Sequence, residues 1–280
     1  MKRKLKTKYL ISSFFKYTVM IIAVLIVIVP LIPIILGSFK NGFEFQSSGV
    51  FELPRDFTLQ NYVTAFTDGN MLLGFFNTVL ILVISLIVSI LTGAMVAYVL
   101  HRFRFKGHSK VKALFLIAAL LPSITNNIAT FQIVSRLGIF NTRFVGILLF
   151  SGTDIISVYI MLQFLDNIST SLDESAMMDG ASYFTIFFKI ILPLLMPAAI
   201  TVGIIKGVAI YNDFITPYLF MPSSELAMIS TALFNFKGPF AAQWEVISAG
   251  IVITALPILI VFLISQKWIY NGLVLGSVKE

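Results

Sequence analysis

The sequence contains no cysteine, and only 12% of its 280 residues are charged. Without cysteine the chain can form no disulfide, no thiolate metal site and no cysteine nucleophile. A soluble protein of this length could not cover its surface with so few charges. Both histidines, His101 and His108, lie in one basic stretch, which we interpret as a solvated loop. The sequence therefore indicates neither a metal site nor a histidine-based catalytic site.

Apolar residues dominate instead, with 58% of the chain hydrophobic and 27 phenylalanines. Apolar runs of about 20 residues cross the hydrocarbon layer as helices, which satisfy their own backbone groups. We predict an all-α membrane protein with six transmembrane helices, the third of them broken or shortened by Pro122. The predicted spans cover about 15–37, 72–100, 112–134, 144–165, 195–220 and 245–266, within a single domain from 15 to 280 that follows a cytoplasmic segment, 1–14. The first span is too long for a cleaved signal peptide.

The net charge of +7 is unevenly distributed along the chain. Basic residues cluster before the first predicted span and between the second and third: Lys2, Arg3, Lys4, Lys6 and Lys8, then Arg102, Arg104, Lys106, Lys110 and Lys112. Such clusters mark the cytoplasmic ends of spans and favour contact with lipid headgroups rather than nucleic acid. The distribution predicts that both termini, the loop 166–194 and the tail 267–280 are cytoplasmic.

The loop between spans four and five has the pattern of a short capped helix. Ser171 and Glu174 are spaced as a capping box, which predicts a helix that begins at Leu172. Gly180 is a suitable terminator, because glycine adopts the left-handed conformation without a Cβ penalty. The pattern alone is also compatible with an ordinary connecting loop.

A second helix is predicted to follow within the same loop. Ser182 can cap its start, and Pro193 is expected to break its hydrogen-bond ladder. Ala176, Met177 and Ala181 would give the loop a small, adaptable face.

The residue order in this loop resembles the EAA loop of ABC-importer permeases, which is the cytoplasmic coupling helix that docks on the ATPase. The resemblance rests on Glu174, Ser175, Ala176, Met177, Met178, Asp179, Gly180, Ala181, Leu192 and Pro193, and these are our predicted docking residues. Ser175 departs from the family's usual alanine but is also small.

Other stretches are similar to the second permease of maltose-type systems in the carbohydrate branch of this family. They are Ser38–Lys40, Phe57–Tyr62, Asn77–Thr78, Arg102–Gly107, Leu137–Thr142 and the tail Gly272–Lys279. A short helix is also expected near Phe57–Phe66, with Thr58 as its N-cap. The order of these stretches along the chain makes the resemblance specific.

The resemblance implies an ATP-driven importer in the plasma membrane of a prokaryote. A homologous second permease, two ATPase subunits and an extracytoplasmic sugar-binding protein would be its partners, and an oligosaccharide its cargo. ATP and Mg would bind the ATPases, because this chain has no G-x-x-x-x-G-K-[ST] loop. It would itself be a non-catalytic subunit.

Charged and amide side chains occur inside the predicted spans, where they usually face a bundle interior or a water-filled cavity. They are Asp154, Lys206, Asn212, Asp213, Asn126 and Asn127. One reading places them along a sugar pathway. In the alternative interpretation, Asp154 and Lys206 form a structural ion pair and Asp213 lies at the end of a span. Asn126 and Asn127 would then cap the end of a broken helix.

Two other classes of function are compatible with an all-α membrane protein. A stand-alone secondary carrier could use Asp154 and Lys206 for ion coupling, but the inverted repeats and paired broken helices of such carriers are not evident in the sequence. An intramembrane enzyme lacks any supporting histidine, serine or metal pattern. Among ABC importers, a polyamine or peptide permease is the alternative, which the carbohydrate-type stretches at Phe57–Tyr62 and Gly272–Lys279 argue against.

Overall fold

The computed structural model describes residues 2–120, 123–236 and 242–275, and every regular element within them is a helix. The α-helices are α1 (Lys2–Ile28), α2 (Leu31–Gly37), α3 (Gly42–Ser47), α4 (Gln60–Asp68), α5 (Met71–Arg102), α6 (His108–Leu120), α7 (Ser123–Arg136), α8 (Arg143–Phe150), α9 (Ile155–Leu165), α10 (Ser171–Met178), α11 (Tyr183–Ile186), α12 (Leu192–Leu194), α13 (Met196–Asn212), α14 (Ile215–Phe220), α15 (Ile229–Ala232) and α16 (Trp244–Leu275). A π-helical segment, Phe187–Ile191, joins α11 to α12, and short 3₁₀ turns cover Ser224–Leu226 and Leu233–Phe236.

Within the part of the chain that the structure describes, three helices are long and apolar enough to cross a membrane: Ser13–Gly37, Met71–Arg102 and Trp244–Gln266. Two bent pairs raise the number to five if each pair is one span. The all-α membrane class is therefore confirmed, whereas six spans and cytoplasmic termini stay predictions. The predicted third span corresponds to α6 and α7, and Pro122 lies outside the described residues.

The bent pairs correct the view that the sequence holds no paired broken helices. The first bends by 47° between α8 and α9, and the second by 71° at Leu195. Pro193 does not end its helix, because it falls in the first turn of α12, where a backbone donor is not required. The π-helical segment and a second proline, Pro197, flank the sharper bend, and both are established causes of kinks. The predicted fifth span, 195–220, is also interrupted at Asp213.

The chain divides into two compact units, residues 1–71 with 233–256, and residues 72–232 with 257–280. In the first unit the Phe57–Tyr62 stretch folds against Ser38–Lys40. The Asn61 amide donates to the carbonyl of Ser38 at 2.9 Å, and the Tyr62 and Ser38 hydroxyls lie 2.7 Å apart. The rings of Phe39 and Phe57 stack at 4.6 Å. The expected short helix is α4, but its N-cap is Leu59, without a side-chain cap, and not Thr58 as predicted. The Thr58 hydroxyl instead accepts from the N–H of Gln60, the first residue of the helix, at 3.1 Å.

A buried lysine and a buried glutamate hold the rest of this loop. Lys40 is 2% exposed and donates to the Ser48 hydroxyl and the Gly49 carbonyl, at 2.8 and 2.9 Å. Glu44 accepts from the backbone N–H of Arg55 at 2.6 Å. Buried charges need hydrogen-bonding partners. These contacts supply them, and they hold the loop between α2 and α4 in one conformation.

In the second unit, two glycines of α13 face long apolar side chains of α5. A Cβ at Gly203 or Gly207 would lie 3.4–3.5 Å from Ile90 or Leu86. These contacts are made by the ends of the α5 side chains, so the backbones of the two helices do not approach closely at these glycines. Gly93 of α5 similarly approaches Thr153.

Asn77 near the start of α5 fastens a distant loop. Its amide donates to the carbonyls of Glu225 and Ala227 at 2.9 and 3.0 Å, and its oxygen accepts from Arg143 at 2.8 Å. The neighbouring Thr78 hydroxyl accepts from the N–H of Ile229. The Asn77–Thr78 stretch is thus a structural clamp.

We expect Asn77→Ala to lower the free energy of unfolding by about 1–3 kcal/mol, because the carbonyls of Glu225 and Ala227 and the side chain of Arg143 would lose their buried partner. Thermal unfolding in detergent checks this, with Asn126→Ala, at an exposed asparagine of α7, as the matched control. Equal unfolding midpoints for the two variants would contradict the clamp.

Candidate functional site

The loop between α9 and α11 contains the helix predicted from the sequence, with a different start. The helix α10 includes Ser171, and the preceding Thr170 makes no side-chain cap. The Ser171 hydroxyl lies 2.8 Å from that of Ser169, while the N–H of Glu174 bonds to the Thr170 carbonyl. The predicted capping box is therefore wrong, because Ser171 is already helical and its hydroxyl is engaged locally.

The end of α10 follows the prediction. Gly180 has φ of +82°, in the left-handed region. Its N–H bonds to the Met177 carbonyl, and the N–H of Ala181 bonds to the Ala176 carbonyl, both at 3.0 Å. These two bonds form a Schellman motif, which satisfies the last carbonyls of the helix. Ser182 then caps α11 by accepting from the N–H of Thr185, as predicted.

The exposed face of α10 is larger and more apolar than predicted. Met178 is 88% exposed, and Phe184 just beyond it is 74% exposed. Ala176 and Ala181 pack inward on the core cluster of α5 and α9, which corrects their assignment to the exposed face. The other predicted docking residues divide as follows: Glu174, Ser175, Met177, Asp179, Gly180 and Pro193 are exposed, and Leu192 packs partly on the same core.

A buried polar cluster ties α10 to the end of α5. Asp173 is 5% exposed, accepts from the Tyr98 hydroxyl at 2.7 Å, and lies 3.2 Å from Nη2 of Arg102. The same Arg102 nitrogen donates to the carbonyl of Ile168 at 2.8 Å. The sequence shows Asp173 only as an acidic residue in the first turn of α10. Its partners are far away in the chain, so local spacing carried no signal for them.

The histidines next to this cluster are not both solvated. His108 is 9% exposed, with Nε2 at 2.7 Å from the Leu100 carbonyl, which corrects the solvated-loop interpretation. His101 Nε2 lies 3.0 Å from a carboxylate oxygen of Asp166. Among the residues that the structure describes, no three His, Asp or Glu side chains group as metal ligands.

Asp154 and Lys206 come together at the break between α8 and α9. Lys206 Nζ lies 3.3 Å from Asp154 Oδ2 and also donates to the Ser89 hydroxyl and the Gly152 carbonyl. The predicted position of Asp154, in the middle of span four, implied that it lies within a helix. It is instead the N-cap of α9. It accepts from the N–H and the hydroxyl of Ser157, both at 2.8 Å. The ion pair that the sequence left as one of two alternatives is therefore formed.

The remaining predicted pathway residues lie apart from this pair. Asp213 lies between α13 and α14 and accepts from the N–H and hydroxyl of Thr216. Asn212 donates to the carbonyl one turn earlier, on Val208. Asn126 and Asn127 lie within α7, not at a helix end.

An apolar cavity of about 360 Å³ lies between α5, α13 and the later part of α16. Its lining includes Gly203, Gly207 and Tyr211. None of the predicted polar pathway residues is part of that lining, so the cavity and the polar cluster are separate features of this unit.

Long apolar helices, together with two bent pairs that pass the same test, indicate an integral-membrane protein within the described residues. Comparison with known proteins gives the family. A model described as binding-protein-dependent transport system inner membrane component matches residues 89–274, and the chain belongs to this family.

Relatives of similar length support this membership. The chain is 31% identical to the probable starch degradation products transport system permease protein AmyC of Thermoanaerobacterium thermosulfurigenes, covering 93% of this chain and 94% of the relative. It is 30% identical to the arabinooligosaccharides transport system permease protein AraQ of Halalkalibacterium halodurans, covering 91% of this chain and 92% of the relative. It is 29% identical to the probable ABC transporter permease protein YurM of Bacillus subtilis, covering 99% of this chain and 92% of the relative.

A solved structure has the same fold. It is a chain of a bacterial ABC transporter involved in the import of the acidic polysaccharide alginate, with a TM-score of 0.79 and 22% identity. The match covers 92% of this chain and 96% of that one. The protein is thus a multi-pass membrane permease of the ABC class in a prokaryote, and family membership rather than helix pattern decides against a stand-alone carrier.

Proposed function

We propose that this chain is the permease subunit of an ATP-driven importer that moves an oligosaccharide, delivered by an extracytoplasmic binding protein, into the cell. The relatives AmyC and AraQ are named for starch degradation products and arabinooligosaccharides. The stretches Phe57–Tyr62 and Asn77–Thr78, which resemble the carbohydrate branch of the family, support the same substrate class.

The observation that carries the proposal is the exposed face of α10 beside a closed Schellman turn. Exposed apolar side chains such as Met178 and Phe184 mark a protein-interaction surface when polar residues surround them. Glu174 and Asp179 provide that polar rim. The partner is an ATPase subunit, because the chain itself has no nucleotide-binding loop.

The proposal extends to the assembly and its orientation. A homologous second permease completes the membrane domain, and two ATPases bind ATP and Mg on the side of α10. This chain contributes six spans in a single domain, cytoplasmic residues 1–14 and a cytoplasmic tail, 267–280. It performs no hydrolysis and binds no cofactor of its own. The basic stretch Arg102–Lys112 lies on the same side, as the positive-inside rule requires.

In this proposal Asp154 and Lys206 serve first as a structural pair. Lys206 is enclosed by three acceptors, and its side chain is 12% exposed. The Asp154 side chain is 43% exposed, so it is the member that can face the sugar pathway. Asn126, Asn127, Asn212 and Asp213 remain candidates for weaker contacts along that pathway.

A pull-down from membranes in mild detergent tests the assembly. Wild type is expected to recover a second permease and an ATPase, and Glu174→Lys is expected to lose the ATPase because it reverses a charge on the exposed face of α10. Glu52→Lys is the matched control, since Glu52 is an exposed acid of the first unit. An unaltered ATPase yield with Glu174→Lys, or no ATPase with wild type, would contradict the proposal.

A further inference from the structure

We propose that Tyr98, Arg102 and Asp173 form a joint that makes α10 and the end of α5 move as one body, so that these three are positioning residues for transport. The inference rests on the proposed function of α10 as the ATPase-docking helix. It adds the route by which a displacement of that helix reaches a membrane span.

The joint is buried although all its members are polar. Tyr98 and Asp173 are 4% and 5% exposed, and the Arg102 side chain is 7% exposed. Removing an arginine and an aspartate from water is costly unless they pair closely. Here the carboxylate has the Tyr98 hydroxyl at 2.7 Å on one oxygen and the guanidinium at 3.2 Å on the other.

The geometry is better suited to fixing position than to maximising stability. Arg102 Nε is buried without a hydrogen-bond acceptor, and Asp173 Oδ2 has the ion pair but no aligned hydrogen bond. A buried ion pair of this kind is weak evidence for stability and is often replaceable by apolar side chains. Its effect is to fix the register of α10 on α5, because Arg102 also holds the Ile168 carbonyl before the helix.

The chain on the other side of α10 is held by the same end of α5. The ring of Phe103 meets that of Tyr183 at 5.1 Å, and the ring of Tyr98 meets that of Phe187 at 5.6 Å. The end of α5 therefore contacts the loop both before and after the exposed face of α10. A force applied to that face can reach α5 through these aromatic contacts or through polar contacts, and Asp173 makes the polar contact that belongs to α10 itself.

The first experiment measures the distance between α5 and α10 in the complete transporter. The chain has no cysteine, so Val99→Cys on α5 and Ser171→Cys on α10 are unique spin-label positions within it, both exposed. One narrow distance that is unchanged between nucleotide-free and ATP-bound complexes is expected. A distance that changes with nucleotide would overturn the inference, because α10 would then move independently of α5.

The second experiment compares Asp173→Asn with Asp166→Asn, a change of the same kind at an exposed aspartate of the same loop. In the reconstituted transporter, Asp173→Asn should keep the ATPase bound, broaden the label distance and lower sugar transported per ATP hydrolysed by roughly tenfold. Asp166→Asn should match wild type. Equal transport for the two variants, or loss of the ATPase with Asp173→Asn, would overturn the inference.

Tyr98→Phe provides a milder change if Asp173→Asn does not yield folded permease. It removes one hydroxyl and is expected to broaden the distance less while still lowering transport per ATP. An unchanged distance and unchanged transport would contradict the joint. Failure of wild type to recover any ATPase would overturn the proposed function and this inference together, whereas recovery with normal coupling in the variants overturns the inference alone.

Discussion

Gly180→Val will abolish recovery of the ATPase with this permease. Gly180 adopts φ of +82°, and a Cβ there would meet no atom within 4 Å. The obstacle is therefore conformational, since the left-handed region costs an ordinary residue about 1–2 kcal/mol and a β-branched one more. The Schellman turn would open, and the face that carries Met178 would no longer be presented at a fixed angle. A pull-down from detergent-solubilised membranes measures the loss.

The chain offers a closely matched control at Gly138. It has φ of +68°, open space for a Cβ, and the same pair of bonds, from its own N–H to the Ser135 carbonyl and from Ile139 to the Val134 carbonyl. Gly138→Val carries the same backbone penalty away from α10 and is expected to retain the ATPase. Gly180→Asn should also retain it, because asparagine tolerates this conformation. ATPase loss with Gly138→Val as well would show that the effect is one of general folding.

Lys206→Met will reduce both stability and sugar uptake. The change deprives the Ser89 hydroxyl, the Gly152 carbonyl and the Asp154 carboxylate of their shared donor. Leaving such groups without a partner costs about 1–3 kcal/mol, and an unpaired charge within a span adds to that penalty. The thermal unfolding midpoint in detergent and uptake into reconstituted vesicles are the two measurements.

The double variant Lys206→Met with Asp154→Asn separates the structural role of the ion pair from a role of Asp154 in the sugar pathway. Asparagine keeps an oxygen that can accept from the N–H of Ser157, so the cap of α9 survives while the unpaired charge is removed. We expect both stability and uptake to recover substantially. Recovery of the unfolding midpoint without uptake would contradict a purely structural role and assign Asp154 to the sugar pathway as well.

The features that the sequence predicted correctly are those set by neighbouring residues. Gly180 and Ser182 act through bonds to residues three to five positions away, so their roles follow from residue type and spacing. The short helix α4 follows from periodicity in the same way. The capping box at Ser171 was wrong because the helix begins one residue earlier than predicted. Ser169, Thr170 and Ser171 are all residue types that can precede a helix, so the sequence does not decide between them.

The features that the sequence missed depend on long-range contacts. Asp173 and Arg102 lie in different predicted elements, and a single sequence gives no reason to pair them. His108 resembles a solvated loop histidine until the fold places the Leu100 carbonyl beside it. The bend at Leu195 was missed because Pro193 was read as a helix stop, although a proline in the first turn of a new helix segment permits a change of direction.

The hydrogen bonds of Asn77 can form only late in biosynthesis. The carbonyls that its amide holds belong to residues made 148 and 150 positions later. At 5–20 residues per second a ribosome needs roughly 7–30 s to supply them. During that interval the amide must bond to water or to a temporary neighbour while later helices enter the bilayer. Substitutions at Asn77 should therefore lower the yield of newly made protein more than they shorten the lifetime of the finished one.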